Sequence, residues 1–227
     1  MTHGHRHTTG HEHDYEPVHG LPEVLPAEEH ILWQGSPDWR ALARRAFHVP
    51  ALVLYFAAVL AARAGYVLSQ GGSAGDALRA LVVLLPLVFF ALVLITGLAW
   101  LTARGAVYTI TDRRVVMRIG IVLTVTFNIP FKRIAAAGLR RHRDGSGDIP
   151  ITLVGGDRIA YLHLWPHARP WRYAKPEPML RCVPDAEAVA RQLSEAWSRA
   201  TELPAVPASA ADGKPAAGTF AGHGAAA

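Results

Sequence analysis

The stretch "ALVVLLPLVFFALVLITGLAWLTARGAVYTITDRRVVMRIG", residues 80–120, combines two hydrophobic patterns that meet at one boundary. Up to Leu101 the residues are apolar all round and none carries a formal charge, which is typical of a helix that crosses a membrane. From Ala106 onward, apolar and polar side chains alternate around a Thr-Asp-Arg-Arg turn, which indicates two antiparallel strands. The chain therefore passes directly from a membrane segment into a β-domain.

A second apolar segment precedes this one and completes a pair. Residues 47–68 contain Arg63 as their only formal charge, and about 20 apolar residues at 1.5 Å per residue span a hydrocarbon core of roughly 30 Å. The Gly-rich "SQGGSAGDA" between the segments is too short for a domain. We therefore predict a transmembrane hairpin within residues 46–103, with helices over 47–68 and 80–101. A pair of buried helices in a soluble domain is the alternative, but such helices are rarely apolar all round.

Basic residues on the outer sides of the hairpin predict its orientation. The connecting region offers only Arg63 and Arg79 against Asp76, so by the positive-inside rule both chain termini face the cytoplasm. Contacts with anionic headgroups of the lipid bilayer then explain the net charge of +5, and no nucleic-acid partner is expected. The flanking arginines are Arg40, Arg44, Arg45, Arg104, Arg113 and Arg114.

Residues 104–200 have the periodicities of a small α+β domain. The segment "IVLTVTFNI" alternates like a half-buried strand, and "DIPITLV" and "RIAYLHLW" follow as two more strands around a Gly-Gly-Asp turn. The segment "DAEAVARQLSEAWSRA" is an amphipathic helix with one apolar stripe. The expected strand face comprises Ile121, Leu123, Val125, Phe127 and Ile129, and the expected helix stripe comprises Val189, Leu193, Ala196 and Trp197.

These elements define the predicted fold class. It is an α+β membrane protein, with a two-helix transmembrane hairpin and a cytoplasmic antiparallel β barrel or sandwich that ends in a C-terminal helix. Residues 21–45 form a juxtamembrane segment that is expected both to anchor at the bilayer interface through Trp33 and Trp39 and to add "HILWQG" as a strand to the domain. A His-rich tail over 1–20 and an Ala/Pro/Gly-rich tail over 201–227 are expected to be disordered. The His-rich tail is suited to adventitious metal binding.

The candidate enzyme motifs do not have the residues that their chemistry requires, so catalysis is disfavoured and no catalytic residue, metal site or cofactor is predicted. His163 and His167 have a metal-like spacing, but Trp165 and Pro166 between them break the helix that would align the two imidazoles. Cys182 is the single cysteine, which excludes an internal disulfide and a multi-thiolate metal site, and we expect it to be structural.

The segment "LWPHARPWRYAKPEPMLR", residues 164–181, is the most unusual part of the sequence. Its four prolines restrict the backbone and lower the entropy lost on docking. Tryptophan and arginine are the residue types that most often dominate protein interfaces. The segment is therefore either a partner-binding surface or a loop whose tryptophans pack back on the domain. The candidate contacts are Trp165, His167, Arg169, Trp171 and Arg172.

Several of these segments together resemble known families. "EEHILWQGSPDW" before the hairpin and "YTITDRRVVMRIG" after it are similar to the bacterial pleckstrin-homology-like membrane proteins. "GLPEVLPAEEHILWQGSPDW", "GDIPITL" and above all "LWPHARPWRYAKPEPMLR" resemble the photosynthetic-complex assembly proteins of purple bacteria. The resemblance spans about residues 20–200. It implies a pleckstrin-homology-like domain and no catalytic residues.

The resemblance also implies a function and partners. It indicates a non-enzymatic assembly factor in the bacterial inner, intracytoplasmic photosynthetic membrane, which contacts subunits of the reaction centre and light-harvesting 1 or other assembly factors and forms a homodimer. A fold name does not confer lipid specificity, and the phosphoinositide-binding residues of eukaryotic relatives do not map onto this chain. Two alternatives stay open. One is a general pleckstrin-homology-like membrane protein in lipid or envelope organisation, and the other is a metal-handling protein that uses the His-rich tail.

Overall fold

The computed structural model describes residues 20–21, 25–155 and 160–201. The expectations for the two terminal tails therefore lie outside the described residues. Strand β1 (Ile31–Gly35) is followed by helix α1 (Trp39–Arg45). The Asp38 carboxylate begins α1 because it accepts hydrogen bonds from the backbone N–H groups of Arg40 and Ala41. The segment before the hairpin thus has both a strand and a helix.

Two long helices form the predicted hairpin. Helix α2 (Val49–Ser69) and helix α3 (Ala74–Gly105) pack on each other and are long and apolar enough to cross a membrane. Large apolar side chains such as Phe89, which is 70% exposed, cover their outer surface. A continuous exposed apolar surface of this kind marks a site of contact with a membrane or with another protein.

Helix α3 is longer than the predicted span over 80–101 at both ends. Ser73 and Asp76 form a capping box that begins the helix before the apolar run. At the other end, Ala99 and Ala103 are buried where α3 packs on α1, so the helix continues into the domain. The hairpin and the domain are therefore joined by a continuous helix rather than by a linker.

The first sheet is antiparallel with the order β1-β2-β3-β4. Its other strands are β2 (Val107–Thr111), β3 (Arg114–Ile119) and β4 (Val125–Pro130). Strand β1 corresponds to the "HILWQG" segment and pairs with β2. The predicted strand over residues 121–129 is wrong in its first part, because the chain bends after Gly120 at a φ of 138° and β4 begins only at Val125. Ile121 and Leu123 are consequently exposed instead of facing the core.

The second sheet is built around one central strand. After a 3₁₀ turn, β5 (Ile134–Ala137), β6 (Arg140–Arg141), β7 (Gly147–Leu153) and β8 (Met179–Val183) follow in the chain, and β7 pairs with the other three. The predicted strand "RIAYLHLW" (residues 158–165) is wrong over residues 160–165, and its first two residues lie outside the described residues. Tyr161–Leu164 forms a short helix, α4, because β5, β6 and β8 already occupy the edges of β7.

The core lies between the sheets and is closed by helix α5 (Ala186–Thr201). Val189, Leu193 and Ala196 of α5 are buried and Trp197 packs beside them, which confirms the predicted stripe. The two sheets form a sandwich and do not close into a barrel. The predicted fold class is confirmed in its sandwich form.

Two ion pairs connect the segment before β1 to the β2–β3 turn. The Arg114 guanidinium donates from Nε and from its NH2 group to the two carboxylate oxygens of Glu29, each over 2.7 Å, and Glu29 is buried. Arg113 contacts Glu28 over 3.1 Å at the surface. Bidentate geometry gives the buried pair its orientation. These two ion pairs therefore hold the segment before β1 against the first sheet.

Candidate functional site

Residues 165–177 form a closed loop, called here the aromatic loop. An antiparallel bridge between Ala168 and Pro178 closes its base. Across this bridge the Arg169 N–H donates to the carbonyl of Glu177 and the Met179 N–H donates to the carbonyl of His167, both over 2.9 Å. The prolines and these hydrogen bonds fix the loop, so the side chains at its tip are presented with little freedom.

The structure divides the five predicted contact residues into an inner and an outer set. Trp171 is 84% exposed and lies at the tip with a φ of 65°, and Trp165 is 50% exposed. Arg172 is also exposed, whereas Arg169 is half-buried. His167 is only 1% exposed. Its inclusion among the surface contacts is therefore corrected, because an imidazole in the interior does not reach a partner.

Trp165 places the loop next to the hairpin. Its indole packs edge-on against the ring of Phe47, with 5.4 Å between ring centroids, and Phe47 lies two residues before α2 begins. The exposed part of Trp165 therefore lies at the end of the hairpin that carries the domain. Amphipathic aromatic rings are enriched at this level of a bilayer.

A small cluster of tyrosines and tryptophan forms the outer face of the loop. The ring of Tyr173 contacts two other aromatic rings. It is tilted against Tyr161 with 4.9 Å between ring centroids, and it lies edge-on to Trp171 with 6.3 Å between centroids. Leu162, the residue after Tyr161 on α4, is also exposed. Rigid aromatic groups supply contact area at low entropic cost, so this face is suited to binding.

The aromatic loop carries more positive than negative charges. Arg169 forms an ion pair of 2.7 Å with the buried carboxylate of Glu177, and Arg172 lies 4.0 Å from the other oxygen of the same carboxylate. Two guanidinium groups thus share one carboxylate, and Lys175 adds a further exposed cation. The loop carries a positive charge beside its aromatic groups, which is complementary to a carboxylate on a partner.

His167 anchors the loop in the interior. The Arg181 backbone N–H donates to the Tyr108 hydroxyl over 3.2 Å, and that hydroxyl is hydrogen-bonded to Nδ1 of His167. Burial, together with the nearby Arg181 charge, lowers the pKa of His167 to about 3. Burial also raises the pKa of Tyr108 well above its usual value, so the phenol stays protonated.

Arg181 connects three parts of the molecule. From β8 its guanidinium donates to the carbonyl of Pro166 over 2.7 Å and to the carbonyl of Arg45 over 3.2 Å. Arg45 is the last residue of α1, whose final carbonyls have no partner within that helix. Arg181 therefore ties the aromatic loop and the helix before the hairpin to the second sheet.

Asp148 accepts a hydrogen bond from the backbone of Cys182, the residue after Arg181. Cys182 has a φ of 51° within β8, and its N–H donates to the Asp148 carboxylate over 2.9 Å, while His142 Nε2 contacts the other carboxylate oxygen over 3.1 Å. Burial alone would raise the pKa of Asp148, but the hydrogen bonds of His142 and Cys182 lower it overall. Burial and the nearby Asp148 charge raise the pKa of the Cys182 thiol to about 12, so the thiol is protonated and unreactive.

The geometry does not bring His163 and His167 together as a metal site. His163 is exposed on α4, whereas His167 is buried and bonded to Tyr108. Within residues 20–21, 25–155 and 160–201, no group of three or more His, Cys, Asp or Glu side chains is arranged to hold a metal ion. Two of the three acidic side chains that line a cleft beside α1 have structural roles, since Asp38 caps α1 and Asp144 forms ion pairs with Arg44 and Arg45.

Arg181, Tyr108 and Asp148 were not identified from the sequence. Arg181 lies in the apolar run "MLRCV", and a charged residue in a buried strand is the signal that could have indicated an internal role. Tyr108 and Asp148 carry no such signal, because an isolated tyrosine or aspartate in a strand is equally compatible with an exposed position.

We expect the stability of the domain to decrease as the pH falls below about 6.5, because His167 binds a proton in the unfolded chain but not in the folded one. The decrease approaches about 1 kcal/mol per pH unit. Asp148 keeps its charge in this range, since its pKa lies below 3.8. Thermal unfolding in detergent, followed by near-ultraviolet circular dichroism at about pH 7.5 and about pH 5, measures the effect.

The matched control is His167→Asn, whose side-chain amide keeps a hydrogen-bonding group near the position of Nδ1 but does not titrate. This variant is expected to be less stable at neutral pH and to lose most of the decrease between about pH 6.5 and about pH 5. An unchanged pH dependence would show that other histidines cause the decrease, and it would contradict the prediction that His167 is responsible.

Comparisons with known proteins agree with this architecture. The family model described as "Bacterial PH domain" matches residues 46–197, and because this match covers more than half of the chain, the chain belongs to that family. The match includes both hairpin helices and the sandwich except for β1. A relative in Rhodobacter capsulatus, described as an uncharacterized 23.7 kDa protein in the puhA 5′ region, is 43% identical over 189 residues, which cover 82% of this chain and 87% of the relative. No solved structure matches the chain significantly.

Proposed function

We propose that this chain is a non-enzymatic assembly factor, of the PuhB type, for the photosynthetic reaction centre and light-harvesting 1 core complex. The observation that carries the proposal is the aromatic loop, which presents Trp171 and Arg172 to the outside while Arg169 and His167 hold its base. Exposed aromatic groups on a fixed loop stabilise the domain little, but they supply the contacts that dominate protein interfaces.

The relative in Rhodobacter capsulatus supports the photosynthetic part of the proposal. Its position in the puhA 5′ region is a photosynthesis-gene context. The identity of 43% extends over most of both chains, so the similarity is not limited to the widespread PH-like domain. The partners that we propose are subunits of the reaction centre and light-harvesting 1 or other assembly factors.

In this mechanism the two parts of the chain bind different parts of a partner. The hairpin packs beside hydrophobic subunits within the bilayer, and the aromatic loop binds their extramembrane segments through aromatic stacking and a carboxylate contact. Gly65 and Gly97 on the outer surface of the hairpin support this arrangement. No heavy atom lies within 4 Å of a Cβ built at either glycine, so both positions are open to the close approach of another helix.

The proposed location is the inner, intracytoplasmic photosynthetic membrane. Both ends of the hairpin meet the same domain, since α1 precedes α2 and β2 follows α3. The arginines on that side, among them Arg40 and Arg104, support a cytoplasmic location of the domain by the positive-inside rule. In this orientation the aromatic loop faces the cytoplasmic ends of the membrane subunits.

Affinity capture of the full-length chain from photosynthetic membranes in mild detergent tests the proposal. We expect reaction-centre or light-harvesting 1 subunits to be recovered with the wild-type chain and to be depleted with a variant that lacks the outer contacts of the aromatic loop. Their absence from the wild-type capture would contradict the assembly role. Strong binding to anionic liposomes together with that absence would instead support the general role in lipid or envelope organisation.

The His-rich tail requires a separate test because it lies outside the described residues. A chain without residues 1–20 is expected to support normal accumulation of the core complex. Loss of function on this deletion, restored by added metal ions, would favour the metal-handling alternative.

A further inference from the structure

The turn between β3 and β4 exposes three consecutive apolar side chains. Ile121 is 46% exposed, Val122 is 90% exposed and Leu123 is 85% exposed. We call residues 121–123 the apolar tip. Large apolar side chains exposed one after another in a turn indicate a surface that is covered by something other than water.

The position of the apolar tip is given by its contact with the end of α3. The backbone of Gly120 lies so close to Gly105, the last residue of α3, that the carbonyl oxygen of Gly120 leaves no room for a Cβ at Gly105. The pairing of Val107 with Arg118 shows that β3 returns toward the start of β2, which follows α3 directly. The tip therefore extends past Gly105 along the last turn of the long helix.

The end of α3 lies at the boundary of the membrane in the proposed arrangement. Between Arg79 and Arg104 the helix has 24 residues without a formal charge, which is roughly 36 Å of helix and slightly more than a hydrocarbon core. The Arg104 guanidinium lies over the ring of Trp100 at 5.3 Å, and this pairing of an aromatic ring with a cation is typical of the headgroup level. Because Gly120 contacts Gly105, the residue after Arg104, Gly120 and the apolar tip also lie at the headgroup level of the bilayer.

We propose that the apolar tip inserts into the lipid bilayer as a third membrane contact, next to the two hairpin helices. This proposal rests on the proposed insertion of α2 and α3 in a bilayer. The bilayer is the occupant because the tip continues the apolar surface of α3, on which Trp100 and Leu101 are also exposed. An inserted tip would fix the tilt of the domain and so the direction in which the aromatic loop faces.

A fluorescent probe at the tip tests this proposal with the full-length chain. Val122→Cys is labelled with an environment-sensitive fluorophore and reconstituted in vesicles of phosphatidylcholine and phosphatidylglycerol. Lys132→Cys, in the exposed 3₁₀ turn at the opposite end of β4, is the matched control, and Phe89→Cys reports on the middle of α3. Cys182 is fully buried, so the wild-type chain provides the labelling background.

We expect nitroxides attached to lipids to quench the probe at position 122 about threefold more strongly than the probe at position 132, and aqueous iodide to show the reverse. If position 89 is quenched by lipid nitroxides but position 122 behaves like position 132, the inserted tip is contradicted while the hairpin stands. If position 89 is not quenched either, the insertion of the hairpin fails as well. Shielding of position 122 from iodide without quenching by lipid nitroxides would assign the tip to a protein partner and would also contradict the proposal.

Discussion

Replacing Arg181 with methionine is expected to lower the free energy of unfolding of the domain by about 3 kcal/mol, the largest stability effect of any single substitution discussed here. Methionine retains much of the side-chain volume but cannot donate to the carbonyls of Pro166 and Arg45. Both carbonyls would lose a charged donor in a site with little access to water, and a buried acceptor without a partner is costly. The loop and α1 would then separate from β8.

Cys182 provides a direct readout for this variant. It is the single cysteine of the chain, it is buried, and it lies next to Arg181. A thiol-reactive dye added during heating in detergent micelles therefore reports the temperature at which β8 becomes exposed, and this temperature is expected to fall by about 10 °C or more. Arg191→Met, which removes an exposed arginine from α5, is the matched control and should leave the transition unchanged. Equal transitions for both variants would contradict the role of Arg181 as a connecting residue.

Replacing Trp171 and Arg172 together with alanine is expected to reduce the yield of the photosynthetic core complex severalfold while the chain itself still accumulates. Removing a central tryptophan and arginine from an interface typically costs 2 kcal/mol or more, which corresponds to about a 30-fold loss of affinity. Both side chains are exposed, so the stability of the folded domain should change by less than about 0.5 kcal/mol. Absorbance of the core complex in membranes, normalised to the amount of this chain, measures the effect.

Trp165→Ala separates binding from folding within the same loop. Trp165 packs on Phe47, so its removal is expected to destabilise the contact between loop and hairpin and to lower the amount of chain in the membrane. The double variant at positions 171 and 172 should instead lower the yield of the complex at a normal amount of chain. If the double variant assembles the core complex normally, the outer face of the aromatic loop is not the partner surface.

The main elements could be predicted because each has a distinct periodicity. The apolar runs of the hairpin, the alternation on both sides of the Thr-Asp-Arg-Arg turn and the stripe of Val189 and Leu193 on α5 all appear where the patterns place them. The errors arose where alternation was present without a partner strand. Residues 121–124 alternate but bend away after Gly120, and residues 161–164 form a helix because β7 has no free edge.

The division of the aromatic loop could not be predicted from its sequence. Trp171 and His167 lie in the same proline-rich segment, and without a regular periodicity nothing in the pattern shows which side chain points inward. The choice depends on Tyr108, which is distant in sequence and supplies the hydrogen bond for His167. Likewise, Arg181 becomes a connecting residue only because the end of α1 lies beside β8.

Photo-crosslinking from the aromatic loop in living cells tests directly whether this loop binds a subunit or assembly factor of the core complex. Benzoylphenylalanine in place of Trp171 keeps an aromatic side chain at the tip, and the same group in place of Lys132 is the control on another exposed part of the domain. After irradiation, mass spectrometry is expected to identify a reaction-centre or light-harvesting 1 subunit, or another assembly factor of that complex, crosslinked to position 171 but not to position 132. Crosslinks from position 171 that reach only lipid or this chain itself would contradict the assembly function.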